Sequence, residues 1–172
     1  MKPSLKVDIL IECTDWLEVV PDLERRAEKA LLHAFEVGFQ KKLLQLSNLP
    51  KEMEVSVVFA DDAMSQTLNK NYRKIDQSTN VLAFPALDEK IGQISLLGDI
   101  VIAYETTIEE AKENKISVQN HMVHLVVHGI LHLLGYDHGS DKEAVTMEAL
   151  ERKVLEHFSI PSPYTEIGDI SE

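Results

Sequence analysis

The sequence predicts an α+β fold, a small mixed β-sheet packed by about five helices. Three observations predict it. Short runs rich in valine and isoleucine read as strands. Longer runs with apolar residues three and four apart read as amphipathic helices. The two kinds interleave along the chain without an internal repeat, a low-complexity tract or a linker.

Taken in order, residues 5–12 (LKVDILIE) alternate in part between apolar and polar and read as a strand. Pro21 opens a helix, at a position where proline is tolerated. Leu23, Ala27, Ala30, Leu31, Ala34 and Phe35 recur at helical spacing, and the pattern extends toward Leu46. Asn48, Leu49 and Pro50 break it. Residues 54–60 (EVSVVFA) read as a central strand. Asp61 is an N-cap for a helix through Met64, Leu68 and Tyr72. Residues 80–85 (NVLAFP) form a short strand stopped by proline, and residues 97–103 (LGDIVIA) another. Residues 106–115 read as a helix with exposed charges. Ser117 caps a long apolar helix through Leu134, which Gly135 ends. Ser140 and Glu143 fit a capping box for a last helix reaching about His157. The tail from about Pro161 is polar and expected to be loose.

A chain of 172 residues predicts one domain, large enough to bury a core without disulfide or metal staples. The lone Cys13 excludes an intramolecular disulfide and suits a reducing compartment. Lys2, Lys6 and Asp8 interrupt any signal-peptide apolar core, and no stretch suits a membrane span. The expected location is cytoplasmic. The net charge of −12 argues against extensive nucleic-acid binding but leaves room for a local basic site.

The informative stretch runs from His121 to His138, HMVHLVVHGILHLLGYDH. His128 and His132 are four apart on a predicted helix, so their rings share one face about 6 Å apart along the axis. Gly135 lets the backbone turn out of the helix, and the turn can return His138 to the same metal. Three imidazoles leave a fourth coordination position open for water, the arrangement of catalytic zinc. Zinc, nickel and copper all suit such a donor set. The expected content is one zinc ion per chain, at the end of the long apolar helix.

The order H-x-x-x-H-x-x-G-x-x-H matches that of the metzincin peptidases except that Gly129 stands where they carry a glutamate base. Glycine cannot move a proton, so the pattern favours a hydrolase of another kind. His124 with His128 is a rival metal pair, without a nearby turn to supply the third ligand. His121 lies about 10.5 Å from His128 along the helix, too far to share its metal. His33 and His157 read as structural or surface residues. Asp137 reads equally as a group orienting a ligand ring or as a turn residue.

The run H-G-I-L-H-L-L-G-Y-D-H resembles the signature of the YbeY family, bacterial endoribonucleases that mature ribosomal RNA. Asn71-Tyr72-Arg73, Asp76 and the run Thr79-Asn80-Val81-Leu82-Ala83-Phe84-Pro85 follow a second motif of that family. Leu97-Gly98-Asp99-Ile100 follows a third. Asn80 and Ala83 stand where aspartate and serine are frequent, and no catalytic role is assigned to them. The resemblance implies a metal-dependent cut in single-stranded RNA, in small-subunit 3′-end maturation and ribosome quality control. It implies ribosomal RNA and the small subunit or its assembly factors as partners. It also puts the family's motif arginine on Arg73, whose guanidinium can grip a phosphate and offset developing charge. Lys70 and Lys74 read as a solvated helix end, and Asp99 as a turn residue or a neighbour of the site. The expected machinery is therefore Arg73 on the scissile phosphate and His128, His132 and His138 on the metal. Two other readings stand beside it: a ribosome-assembly binding module with a structural metal, and a metal hydrolase of a small substrate.

Overall fold

The computed structural model describes residues 2–42, 49–86, 90–91 and 94–164. Strand β1 (Ser4–Ile11) pairs parallel with β2 (Glu52–Ala60), and β2 pairs parallel with β5 (Ile94–Ala103). Strand β3 (Val81–Pro85) lies antiparallel to β5 at the edge, giving the order β1-β2-β5-β3. The two-residue β4 (Lys90–Ile91) pairs with the start of β5 and was not foreseen. The sheet is mixed, as expected, and the fold is α+β.

Six helices are described: α1 (Trp16–Val19), α2 (Leu23–Lys42), α3 (Asp62–Arg73), α4 (Tyr104–Glu113), α5 (Val118–Leu133) and α6 (Asp141–His157). The extension of α2 toward Leu46 lies outside the described residues. Helix α1 has no signal in the sequence because one turn carries too few residues to show a period. It exists because Trp16 is wholly buried, donates from Nε1 to the Ala60 carbonyl at 3.0 Å, and meets Phe59 and Tyr104 edge-on. No helix among the described residues is long and apolar enough to cross a membrane.

The main core lies on one face of the sheet. Val55, Val57 and Phe59 of β2 and Ile100 and Ile102 of β5 pack with the buried faces of α2, α5 and α6. Each fully buried side chain of this kind contributes roughly 1.5–3 kcal/mol. A smaller cluster of Ala60, Leu82 and Val101 lies apart, with Leu68 of α3 and Phe84 against it. Helix α5 is buried almost all round, which explains its apolar composition. The caps form as expected: Asp61, Ser117 and Ser140 accept from the backbone N–H groups of Met64, Asn120 and Glu143.

Gly98 is a point where the sheet depends on glycine. Its φ is +142°, and a Cβ there would lie 2.3 Å from the Phe84 carbonyl oxygen. The missing side chain lets β3 pair closely with β5, opposite the register shift in β2 between Glu54 and Val55. Gly98→Ala should destabilise the protein by at least about 1–3 kcal/mol. Urea denaturation reads this as a lower midpoint, and an unchanged midpoint would refute the close-approach account.

Candidate metal centre

Helical spacing brings His128 and His132 together, with their Nε2 atoms 3.0 Å apart. The helix then ends in a paired hydrogen-bond motif. Gly135 N–H donates to the His132 carbonyl and Tyr136 N–H to the Leu131 carbonyl. Gly135 makes this turn possible with a φ of +96°. Tyr136 is buried, and its hydroxyl donates to the Gly38 carbonyl of α2 at 2.6 Å, anchoring the turn. The chain therefore arrives at His138 in a defined place. Asp137 Oδ1 accepts the His138 backbone N–H at 2.8 Å within this turn. One ring nitrogen from each of His128, His132 and His138 lies within 4.8 Å of the others.

The donor chemistry fits a metal. Glu151 Oε1 lies 2.5 Å from His128 Nδ1, and Glu151 is wholly buried. Burial alone would raise the pKa of this carboxyl, but hydrogen bonds and charge from His124 and His128 prevail and hold it at about 2. An ionised carboxylate only accepts, so His128 donates to it from Nδ1, and the ring's other nitrogen, Nε2, faces His132. Burial and the neighbouring His128 and His138 lower the pKa of His132, favouring its neutral ring. Neutral imidazoles are the form that binds metal. These three histidines together could hold a metal ion.

The same cleft, about 530 Å³ in volume, is lined by all three histidines and by Arg73. Arg73 is the last residue of α3, followed by Lys74 in the left-handed conformation at φ 62°. Its Nη2 donates to the Ala83 carbonyl on β3 at 3.0 Å, and its Cζ lies 5.7 Å from the Phe84 ring centroid. Among the described residues, one of its five N–H donors is thus engaged with the protein. Lys70 instead pairs with Asp76, and Lys74 turns back to the Asn71 carbonyl. Neither lysine lines the cleft, nor does Asp99.

Gly129 also faces the cleft, for a packing reason. A Cβ there would come within 2.9 Å of Ile100 Cγ2. Helix α5 rides directly on β5 at this point, which leaves no room for the glutamate of the peptidase pattern.

The other histidines are engaged elsewhere. His124 Nε2 faces Glu151 Oε2 at 3.3 Å, and among the described residues it joins no ligand cluster with His128. His121 Nε2 meets Glu110 Oε2 at 2.7 Å. Both oxygens of Glu110 also accept from Asn80 Nδ2 at 3.1 Å, and Asn80 lines the cleft. His33 and His157 stack on each other with centroids 3.8 Å apart.

Two residues beside the site were missed from sequence. Glu151 had a signal, since it shares a face of α6 with the buried Met147, Leu150, Val154 and Leu155. A carboxylate on such a stripe asks for a buried partner. Tyr164 had none. The segment from Pro161 was expected to be loose, yet Ser162 accepts the Tyr164 backbone N–H at 3.2 Å. The Tyr164 hydroxyl in turn donates to Glu151 Oε2 at 2.5 Å. Residues 165–172 lie outside the described ones.

A family model described as endoribonuclease YbeY matches residues 22–159. An endoribonuclease YbeY of Paramagnetospirillum magneticum is 41% identical, over 96% of this chain and 99% of the relative. Another, from Bradyrhizobium diazoefficiens, is 43% identical over 95% of this chain and 88% of the relative. The solution structure of TM1509 from Thermotoga maritima superposes with a TM-score of 0.55 at 24% identity. It covers 95% of this chain and 99% of that one, and shows a shared fold. A family match across four-fifths of the length, together with relatives aligned nearly end to end, places the chain in the endoribonuclease YbeY family.

Proposed function

We propose that the chain is a zinc-dependent endoribonuclease that cuts single-stranded ribosomal RNA in the cytoplasm. Its work is maturation of the small-subunit 3′ end and ribosome quality control, with the small subunit or its assembly factors as partners. The observation that carries this reading is that one cleft holds both Arg73 and the triad His128, His132 and His138. The triad would hold zinc, which supplies Lewis-acid polarisation of a phosphoryl oxygen or an activated water when bound. Arg73 binds and orients the scissile phosphate. Its anchor on Ala83 fixes the guanidinium and leaves most of its donors for the substrate. Gly129 supplies no base, so proton transfer falls to another group at the cleft.

The test uses purified protein and a labelled single-stranded RNA, with chelator, with zinc restored, and with His128→Ala as the contamination control. Cleavage by the wild type, lost with chelator and regained with zinc, is the expected result. Chelation should also lower the melting temperature only in part, because the core of α2, α5 and α6 packs without the metal. Normal binding to ribosomal subunits without any RNA cleavage would replace this reading with an assembly module. Turnover of small phosphate esters alone would replace it with a small-substrate hydrolase.

A further inference from the structure

Glu151 is a buried carboxylate whose two oxygens both have side-chain partners beside the metal centre. One oxygen meets His128 Nδ1 at 2.5 Å. The other takes the Tyr164 hydroxyl at 2.5 Å and faces His124 Nε2 at 3.3 Å. A phenol at neutral pH has one proton to give, and a carboxylate has none, so the direction of the Tyr164 bond is settled. Burial and the adjacent Glu151 charge push the Tyr164 phenol well above its ordinary range. The tail is itself tied to α6. Arg152 Nε reaches Ser162 Oγ at 3.4 Å, and Ser162 holds the Tyr164 backbone. The chain thus leaves α6 beside Arg152 and returns a hydroxyl to the neighbouring Glu151.

We propose that Glu151, clamped by the Tyr164 hydroxyl, is a positioning residue that sets the grip of His128 on the metal. The proposal rests on the metal reading above. A carboxylate accepting from Nδ1–H holds the imidazole in the tautomer with Nε2 free, fixes the ring's rotation, and strengthens it as a donor. Without that partner the ring rotates and divides between two tautomers, only one of which offers Nε2 to the cleft. Tyr164 acts one step further out. Its hydroxyl holds Oε2, so that Oε1 stays in line with His128. Residues 158–164, which follow α6, are in this way a built part of the metal centre.

The experiment is a zinc competition titration against a chromophoric chelator on the full chain, with melting temperatures from the same preparations. The set is wild type, Glu151→Gln, Glu151→Ala and Tyr164→Phe. Groups that orient a metal-bound histidine typically contribute roughly 10–100-fold to affinity. Glu151→Ala should fall toward the upper end of that range and Glu151→Gln toward the lower, since the amide keeps an acceptor oxygen but no charge. Tyr164→Phe keeps the ring and removes only the hydroxyl, and should weaken zinc several-fold. Ring ¹⁵N shifts of His128 in the zinc-free protein give a second readout. The wild type should show the Nδ1–H tautomer and Glu151→Gln a mixture. Should the Glu151 variants fail to fold, Tyr164→Phe carries the test. Lowered melting temperatures with zinc affinity within twofold of wild type would reduce both residues to structural roles and overturn the proposal. Weakening by Glu151→Gln with Tyr164→Phe unchanged would overturn the part given to the tail. A wild type that takes up no zinc would instead sink the metal reading itself.

Discussion

Arg73→Ala should keep its zinc and its fold and lose roughly ten- to a hundredfold in single-turnover RNA cleavage. The reason is local. The chain carries a net charge of −12, so most of its surface repels RNA, and productive binding depends on a small cationic locus. Arg73 lines the cleft, while Lys70 and Lys74 are occupied with Asp76 and the Asn71 carbonyl. Loss of a hydrogen bond to a charged group costs about 1.5–3 kcal/mol, which is the stated range in rate. Arg73→Lys should recover only part, because a point charge does not reproduce the planar fork. Cleavage should also depend less steeply on salt than for a basic RNA-binding protein, since few phosphates are contacted. Metal content, circular dichroism and cleavage on one preparation decide the matter. Undiminished cleavage by Arg73→Ala would remove the phosphate-binding role.

His132→Ala should take the zinc content from one per chain to none and bring cleavage to background. His132 supplies the nitrogen that faces His128 Nε2 at 3.0 Å, and the two remaining imidazoles make a poor site. The loss should be visible in stability too. A ligand present at a thousand times its Kd stabilises the native state by about 4 kcal/mol, and that increment disappears with the site. The variant and the chelated wild type should therefore melt at similar temperatures. Elemental analysis gives the direct measurement. Full metal content in His132→Ala would mean that the ion sits elsewhere, and the cleft would lose its assigned chemistry.

Much of this was legible in the chain because the relevant signals are periodic or local. Four-residue spacing put His128 and His132 on one face, and Gly135 marked the turn that brings back His138. The caps at Asp61, Ser117 and Ser140 were legible for the same reason: each acts on a backbone N–H three residues away. Illegible features depend on contacts far apart in sequence. Trp16 meets Ala60 across 44 residues, and Glu151 meets His128 across 23. Tyr164 stands in a polar stretch with no period, where nothing local announces a buried partner. Gly129 was readable as a missing base, but only the contact with Ile100 explains why the position is glycine.

The edge strand β3 has one more consequence. The outermost strand of a sheet presents an open row of backbone groups, a template on which a strand of another molecule can pair. Here the Arg73 guanidinium covers the Ala83 carbonyl in the middle of that row, and Pro85 removes a donor at its end. The guard on the edge is therefore the same side chain that reaches into the cleft. Losing the arginine therefore frees one carbonyl of that row as well as one wall of the cleft, while the pairing of β3 with β5 stays in place.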